Sequence, residues 1–273
     1  MTAPVPRPFA GKVALVAGAS RGIGAVTARA FADAGAAVVV AARDASAIEA
    51  VVKGVIAAGG RALAVPTDVG DPASVENLVR RTLDTFGRLD AAFNNATDGP
   101  PPAPLAEIDP AAFDRGIRTN VRGTFLGMKY EIPAILRSGG GAIVNMASLA
   151  GLQGVAGLAA YVAGKAGIIG LTKVAALDYA DQGIRVNVVA PGPILTHHLQ
   201  RAGEEAQRQA ALSTPMRRIG RADEVAATVL WLCSDQASFI TGATVPIDGG
   251  QHAGLKPSRM YRQGQPMDSG SSS

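Results

Sequence analysis

The chain has 273 residues, 48% of them hydrophobic and 18% charged, with a formal net charge of +4 at pH 7. That length suits one large unit with an extensive core, and the modest charge, with no basic stripe interleaved with aromatics, argues against a nucleic-acid partner. Cys233 is the only cysteine, which excludes an internal disulfide or a cysteine metal cluster; no uninterrupted apolar run reaches the about 18 residues of a membrane span, so a cytoplasmic protein without a membrane partner is the expectation.

The first eight residues carry three prolines and no apolar core of a secretory signal, and residues 1–10 are expected to be a flexible segment. Val13–Ala17 reads as a short buried strand. It runs into Gly18-Ala-Ser-Arg-Gly-Ile-Gly24 and a helical pattern, Ala25 to Ala34, closed by Gly35. Ala37–Ala42 is a second strand, followed by a helix to about Ala58, and Ala62–Pro66 is a third. Asp71-Pro72 starts the next helix, with Asp71 as N-cap and Pro72 at the first helical position. Leu89–Asn94 is strand four, and Ala111–Leu136 a long helix expected to be disturbed near Pro133. Gly141–Met146, Ile184–Val189 and Ala243–Ile247 complete a set of seven strands, with helices over Tyr161–Tyr179 and Asp223–Cys233.

Continuous apolar strands alternating with helices predict an α/β fold: a doubly wound, mostly parallel seven-stranded sheet with helices on both faces. Residues 11–252 are expected to form it as one domain, with residues 253–273, which include Lys256, Arg259 and Arg262, as a flexible tail. Such sheets bind ligands beyond the carboxyl ends of their strands. The glycine loop, Asp68, Asn94-Asn95, Ser148 and Pro191-Gly192 each follow a predicted strand, so all are expected along one edge. The prolines of Pro100–Pro104 border the same edge, and the polar segment 195–216 is long enough for a lid.

Gly18-x-x-x-Gly22-x-Gly24 between a strand and a helix permits a tight turn, and the amides around Ser20, Arg21 and Ile23 would face a pyrophosphate. Where an NAD site usually has an acidic residue at the end of strand two, this chain has Ala42, then Arg43, with Arg21 in the glycine loop. Two guanidiniums suit the 2′-phosphate of NADP(H), with NAD(H) as the alternative, favoured if Asp44 turns inward. Tyr161 and Lys165 stand four apart on a helix and so leave the same face. A lysine ammonium one turn away favours a phenolate, giving an acid/base suited to an alcohol or carbonyl, and Ser148 precedes them on a loop.

Taken in order, Gly18–Gly24, Asp68-Val69, Asn94-Asn95-Ala96, Asn120, Ser148, Tyr161-Val-Ala-Gly-Lys165 and Pro191-Gly192 with Thr196 resemble the short-chain dehydrogenase/reductase family, over about Gly11 to Gly250. Bacterial 3-oxoacyl-carrier-protein reductases and related ketoreductases look most similar, on Gly170–Lys173, Arg185–Gly192 and Ile240-Thr-Gly. The resemblance implies a Rossmann-type fold and an enzyme that interconverts a carbonyl and a secondary alcohol. It implies Tyr161 as proton donor or acceptor, Lys165 holding the nicotinamide ribose, Ser148 positioning the substrate oxygen, and Asn120 holding a relay water. It also implies Asp68 and Val69 at the adenine, Asn95 and Ala96 at the adenosine ribose, Ile194 and Thr196 at the carboxamide, and a homotetramer paired through the helices of Asn120 and Tyr161. Two positions depart from the pattern: Ala17 replaces the usual Thr, and Thr97 the usual Gly, which is awkward if that Gly tolerates a backbone a β-branched residue dislikes.

A small-molecule substrate is expected, its apolar pocket bordered by Leu149, Val155, the proline loop and the lid. A catalytically silent dinucleotide sensor is the competing class. His197, His198 and His252 read as lid or substrate contacts rather than metal ligands, and Arg115, Arg118 and Arg122 as a solvated helix face or a contact for an acidic partner.

Overall fold

The computed structural model describes residues 7–254. Seven strands, β1 Val13–Ala17, β2 Ala37–Ala42, β3 Arg61–Pro66, β4 Ala91–Asn94, β5 Gly141–Met146, β6 Ile184–Pro191 and β7 Thr244–Ile247, form one sheet in the order β3-β2-β1-β4-β5-β6-β7. Every neighbouring pair is parallel, so all carboxyl ends lie on one edge. The order reverses between β1 and β4, the position at which a sheet of this kind leaves a crevice beyond its carboxyl edge. The expected doubly wound fold is the one observed.

Alternate residues of each strand serve opposite faces. Ala14 and Val16 of β1 pack with Phe31 of α1 (Gly22–Asp33), Ile48 of α2 (Ala45–Ala57) and Val229 of α9 (Ala222–Cys233). Val13, Leu15 and Ala17 pack on the other side with Leu78 of α3 (Pro72–Phe86), Ile132 of α5 (Gly123–Arg137) and Ala176 of α6 (Ala159–Tyr179). The helix starts follow local chemistry. Asp71 accepts the Ser74 amide at 3.2 Å ahead of Pro72, and Asp109 accepts the Ala112 amide at 2.8 Å ahead of Pro110, which opens α4 (Pro110–Ile117).

Two expectations change. The segment before Gly11 is packed in its described part: Phe9 is buried and meets the Phe31 ring edge-on at 5.1 Å, because a benzyl side chain there closes the bottom of α1. Residues 1–6 and the tail from residue 255, with Lys256, Arg259 and Arg262, lie outside the described residues. The long helix over 111–136 is interrupted, but not at Pro133, which sits inside the continuous α5. Its irregularity is a π-turn, Arg118–Arg122, between α4 and α5. The lid segment forms two short helices, α7 (His197–Arg201) and α8 (Glu204–Leu212).

Candidate active site

The crevice at the carboxyl edge holds two groups of residues, one on each side of β4. On the first side the glycine loop turns from β1 into α1, which begins at Gly22, earlier than the sequence pattern places it. A Cβ on Gly18 would stand 2.5 Å from the Ala96 amide nitrogen, and one on Gly24 2.3 Å from the Gly18 carbonyl, so only glycine lets these segments touch. Asn95 Nδ2 donates to the Gly18 carbonyl at 2.8 Å and fixes the loop to the segment after β4. Gly22, at φ +57°, has open space where a side chain would be, with Thr196 Cγ2 the nearest atom at 3.9 Å. A cleft of about 550 Å³ is lined there by Ser20, Arg21, Gly22, Leu195, Thr196 and Gln200. A helix start with its amides beside a space of that size fits the pyrophosphate of a dinucleotide.

Past the ends of β2 and β3 the charged residues are engaged in local contacts. Asp44 caps α2, accepting the Ala47 amide at 3.0 Å and the Ser46 hydroxyl at 2.8 Å; the amide bond, first, holds its carboxyl below the ordinary value. It does not turn inward. Arg43 is largely exposed and lies 3.9 Å from the Asp98 carboxylate. Asp68 receives both Arg118 nitrogens, at 2.9 and 3.5 Å, and the Gly70 amide at 2.9 Å. Its pKa is nonetheless held only below its usual value against a desolvation that raises it. Arg118 is exposed, as a solvated face residue is, and it also reaches from the π-turn to Asp68 past the end of β3, an ion pair the helical spacing of the arginines hid. Val69 packs against Gly123, where a Cβ would come within 2.9 Å of it.

On the second side stand Ser148, Tyr161 and Lys165. Ser148 leaves β5 in extended conformation and caps a single 3-10 turn, Leu149–Gly151, accepting the Ala150 amide at 3.2 Å. Its hydroxyl also lies beside the Tyr161 phenol and favours the charged form of that phenol, which brings the three predicted residues together. Lys165 is only 1% exposed; its Nζ donates to the Met146 carbonyl at 2.9 Å and lies 5.5 Å from the centre of the Tyr161 ring. Burial lowers the Lys165 ammonium to about 7, and burial also raises the Tyr161 phenol, with the Ser148 bond working in the opposite direction. The expected lowering of Tyr161 by Lys165 is thus not what the protein alone produces, because the same burial that positions the ammonium discourages its charge.

Asn120 belongs to this side, but its side chain is not open to a water. It is fully buried in the π-turn, with Nδ2 donating to the carbonyls of Asp98 at 2.6 Å and Gly116 at 2.9 Å, while Oδ1 accepts the Thr97 hydroxyl at 2.9 Å. Thr97 needs no unusual backbone: among the described residues the only non-glycine with positive φ is Arg217. The Pro100–Pro104 loop borders the start of α6, the Ala103 amide donating to Gly157 at 3.0 Å. Leu149, expected to line the pocket, is instead 5% exposed and packed inward, since the 3-10 turn folds it under the sheet edge.

Pro191 ends β6, and Gly192 lies against Asp248. Ile194 is 7% exposed and packs on Gly220, so any cofactor contact there falls to its backbone. A second cavity of about 330 Å³ opens beyond it, between Pro193-Ile194 and Asp248–Gly250; Tyr161 lines neither cavity. Among the described residues no three His, Cys, Asp or Glu side chains converge.

A family model described as enoyl-(acyl carrier protein) reductase matches residues 18–252. The chain is 40% identical over 246 residues to the short chain dehydrogenase/reductase astE of Aspergillus oryzae, covering 88% of this chain and 94% of that protein. It is 43% identical over 241 residues to cyclohexanol dehydrogenase of an Acinetobacter species, covering 88% and 95%. Among solved structures, levodione reductase superposes with a TM-score of 0.87 at 35% identity, over 90% of this chain and 100% of that one.

Proposed function

The chain belongs to the short-chain dehydrogenase/reductase family, and from that premise we propose that it interconverts a secondary alcohol and its carbonyl compound with NADP(H), using Tyr161 as general acid/base. At the coarser level it is an oxidoreductase of alcohol or carbonyl substrates that works with a nicotinamide dinucleotide. The observation that carries the finer reading is the Ser148–Tyr161–Lys165 cluster at the edge of the crevice, with Lys165 buried on the Met146 carbonyl.

A bound nicotinamide supplies or accepts the hydride. Gly18–Gly24 with Asn95 and Ala96 would hold the dinucleotide on the first side of the crevice, and Lys165 its nicotinamide ribose. With the Ser148 hydroxyl beside the Tyr161 phenol, a substrate oxygen brought to the pair would be held and oriented by both. In reduction the Tyr161 O–H donates its proton to that oxygen as the carbon receives the hydride; in oxidation the phenolate takes it back. The phenolate carries the negative charge, and an ammonium one turn away stabilises it. Acceptor oxygens brought to Lys165 Nζ favour its charged form and so counter the burial that lowers it to about 7.

NADP(H) rather than NAD(H) is supported by Arg21, which lines the cleft, by Arg43 just past the end of β2, and by Asp44, which is held at the helix cap through Oδ1. A relative named for cyclohexanol makes ring-borne secondary alcohols the first substrate class to try. With cyclohexanone or a related ketone, loss of NADPH absorbance is expected for the wild type. Tyr161→Phe is expected to lower kcat by about 10²–10⁴-fold while the Kd for NADPH is kept. A variant as fast as the wild type would remove Tyr161 from the reaction.

A further inference from the structure

We propose that Thr97 is a positioning residue for this reaction: its hydroxyl, held on the side-chain carbonyl of Asn120, fixes the π-turn against α6 between Tyr161 and Lys165. The inference rests on the reading of Tyr161 and Lys165 as the proton-transfer pair.

The orientation of the Asn120 amide is unambiguous, because both groups at its nitrogen are backbone carbonyls and can only accept. Its oxygen therefore faces Thr97, and Thr97 must donate. Asn120 has no exposed surface, while Thr97 is exposed toward solvent, so the hydroxyl is the group that closes the amide off from the crevice. Without it a buried carbonyl oxygen loses its donor, and the side chain is driven to turn or to admit water. Such a turn reaches the chemistry directly. A Cβ on Gly164 would lie 2.9 Å from Asn120 Cβ, so Asn120 is seated on α6 in the single turn that separates Tyr161 from Lys165. The π-turn is also tied at its first residue, through Arg118 to Asp68. Thr97 itself follows Asn95 and Ala96, which touch the glycine loop. One short strap after β4 thus contacts the dinucleotide side of the crevice and the turn behind the proton-transfer pair.

The test uses Thr97→Val, which keeps the shape and removes the donor, and Thr97→Ser, which keeps the donor. In Thr97→Val kcat is expected to fall about ten- to hundredfold, with the Kd for NADPH and the substrate KM within about twofold, and the pH profile of kcat is expected to shift. Thr97→Ser is expected to keep wild-type kcat and pH profile. In an Asn120→Ala background, Thr97→Val should add little, since both act through one contact. Should Thr97→Val lose its fold by circular dichroism, Thr97→Ala serves in its place with the same expected split. An active wild type whose Thr97→Val and Thr97→Ala variants keep kcat and pH profile overturns the role of Thr97 alone, as does a Thr97→Ser enzyme as slow as Thr97→Val. A wild type that turns over no carbonyl or alcohol overturns the parent reading and this one with it.

Discussion

Arg43 and Asp44 leave β2 as neighbours, and their surroundings give them opposite tasks. The Asp44 carboxylate is tied through Oδ1 to the start of α2 by the Ala47 amide and the Ser46 hydroxyl, which hold the side chain at the helix cap. Arg43 holds Asp98 at 3.9 Å with both partners well exposed, a contact of the kind that contributes little to stability. Its guanidinium can exchange that partner for a phosphate. Arg43→Ala is therefore expected to lower kcat/KM with NADPH by about tenfold or more, and with NADH by less than about twofold. Equal losses with both cofactors in steady-state assays would place Arg43 away from the 2′-phosphate. The sequence made Arg43, Ser148, Tyr161 and Lys165 legible because motif spacing and strand ends place them. It did not make the Tyr161 pKa direction legible, since the depth of burial depends on what covers the site. Nor did it disclose the Thr97–Asn120 bond, which joins side chains 23 residues apart.

At the level of elements, β4, β5, α5 and α6 are joined by a buried polar chain. Asn94 Nδ2 donates to Glu131 at 2.9 Å and to Asn145 at 3.0 Å, and Asn145 donates to Thr172 at 2.9 Å. Glu131 is 1% exposed, and burial raises its carboxyl to about 7, the Asn94 bond opposing that rise. A folded-state pKa above the ordinary 4.5 means that the folded protein prefers the protonated acid. The stability from that preference is fully present below about pH 4.5 and is lost as pH rises through about 7. Glu131→Gln is expected to match the wild type near the acid end and to exceed it above neutrality by on the order of a few kcal/mol in urea denaturation. A difference independent of pH would mean that another group carries the linkage. Glu131 drew no attention in the sequence, because a glutamate within a helical pattern looks the same whether it faces solvent or the sheet. The strands were legible nearly to the residue, being short, apolar and bounded by glycine or proline. The π-turn was not, since hydrophobic spacing over 26 residues averages out a single inserted one.

For the molecule as a whole, the stretch Ala159–Gln182 that includes α6 contains an 18-residue window with a mean hydropathy of 1.3, long and apolar enough by length and composition alone to cross a membrane. Its composition has a local reason: α6 packs against β6, α4 and the 3-10 turn at Leu149 and carries the buried Lys165. Some of its apolar surface remains uncovered. Val174 and Leu177 are 56% and 83% exposed, and Phe125 on the neighbouring α5 is 47% exposed, surface that the pairing of chains implied by the family resemblance would cover. Leu177→Glu is expected to shift the assembly to smaller species in sedimentation at micromolar concentration; a wild type that sediments only as monomer would refute the pairing. The π-turn sets which neighbours α4 and α5 take within the chain. A residue added to a helix rotates everything after it by about 100°, so the turn acts as a phase shifter set into one long rod. Ahead of it α4 lies on α6, and beyond it α5 lies on α3 and the sheet. An unbroken rod would present one stripe along its whole length and would have to choose between those neighbours. The inserted residue lets a single chain segment face the reaction with one half and the core with the other.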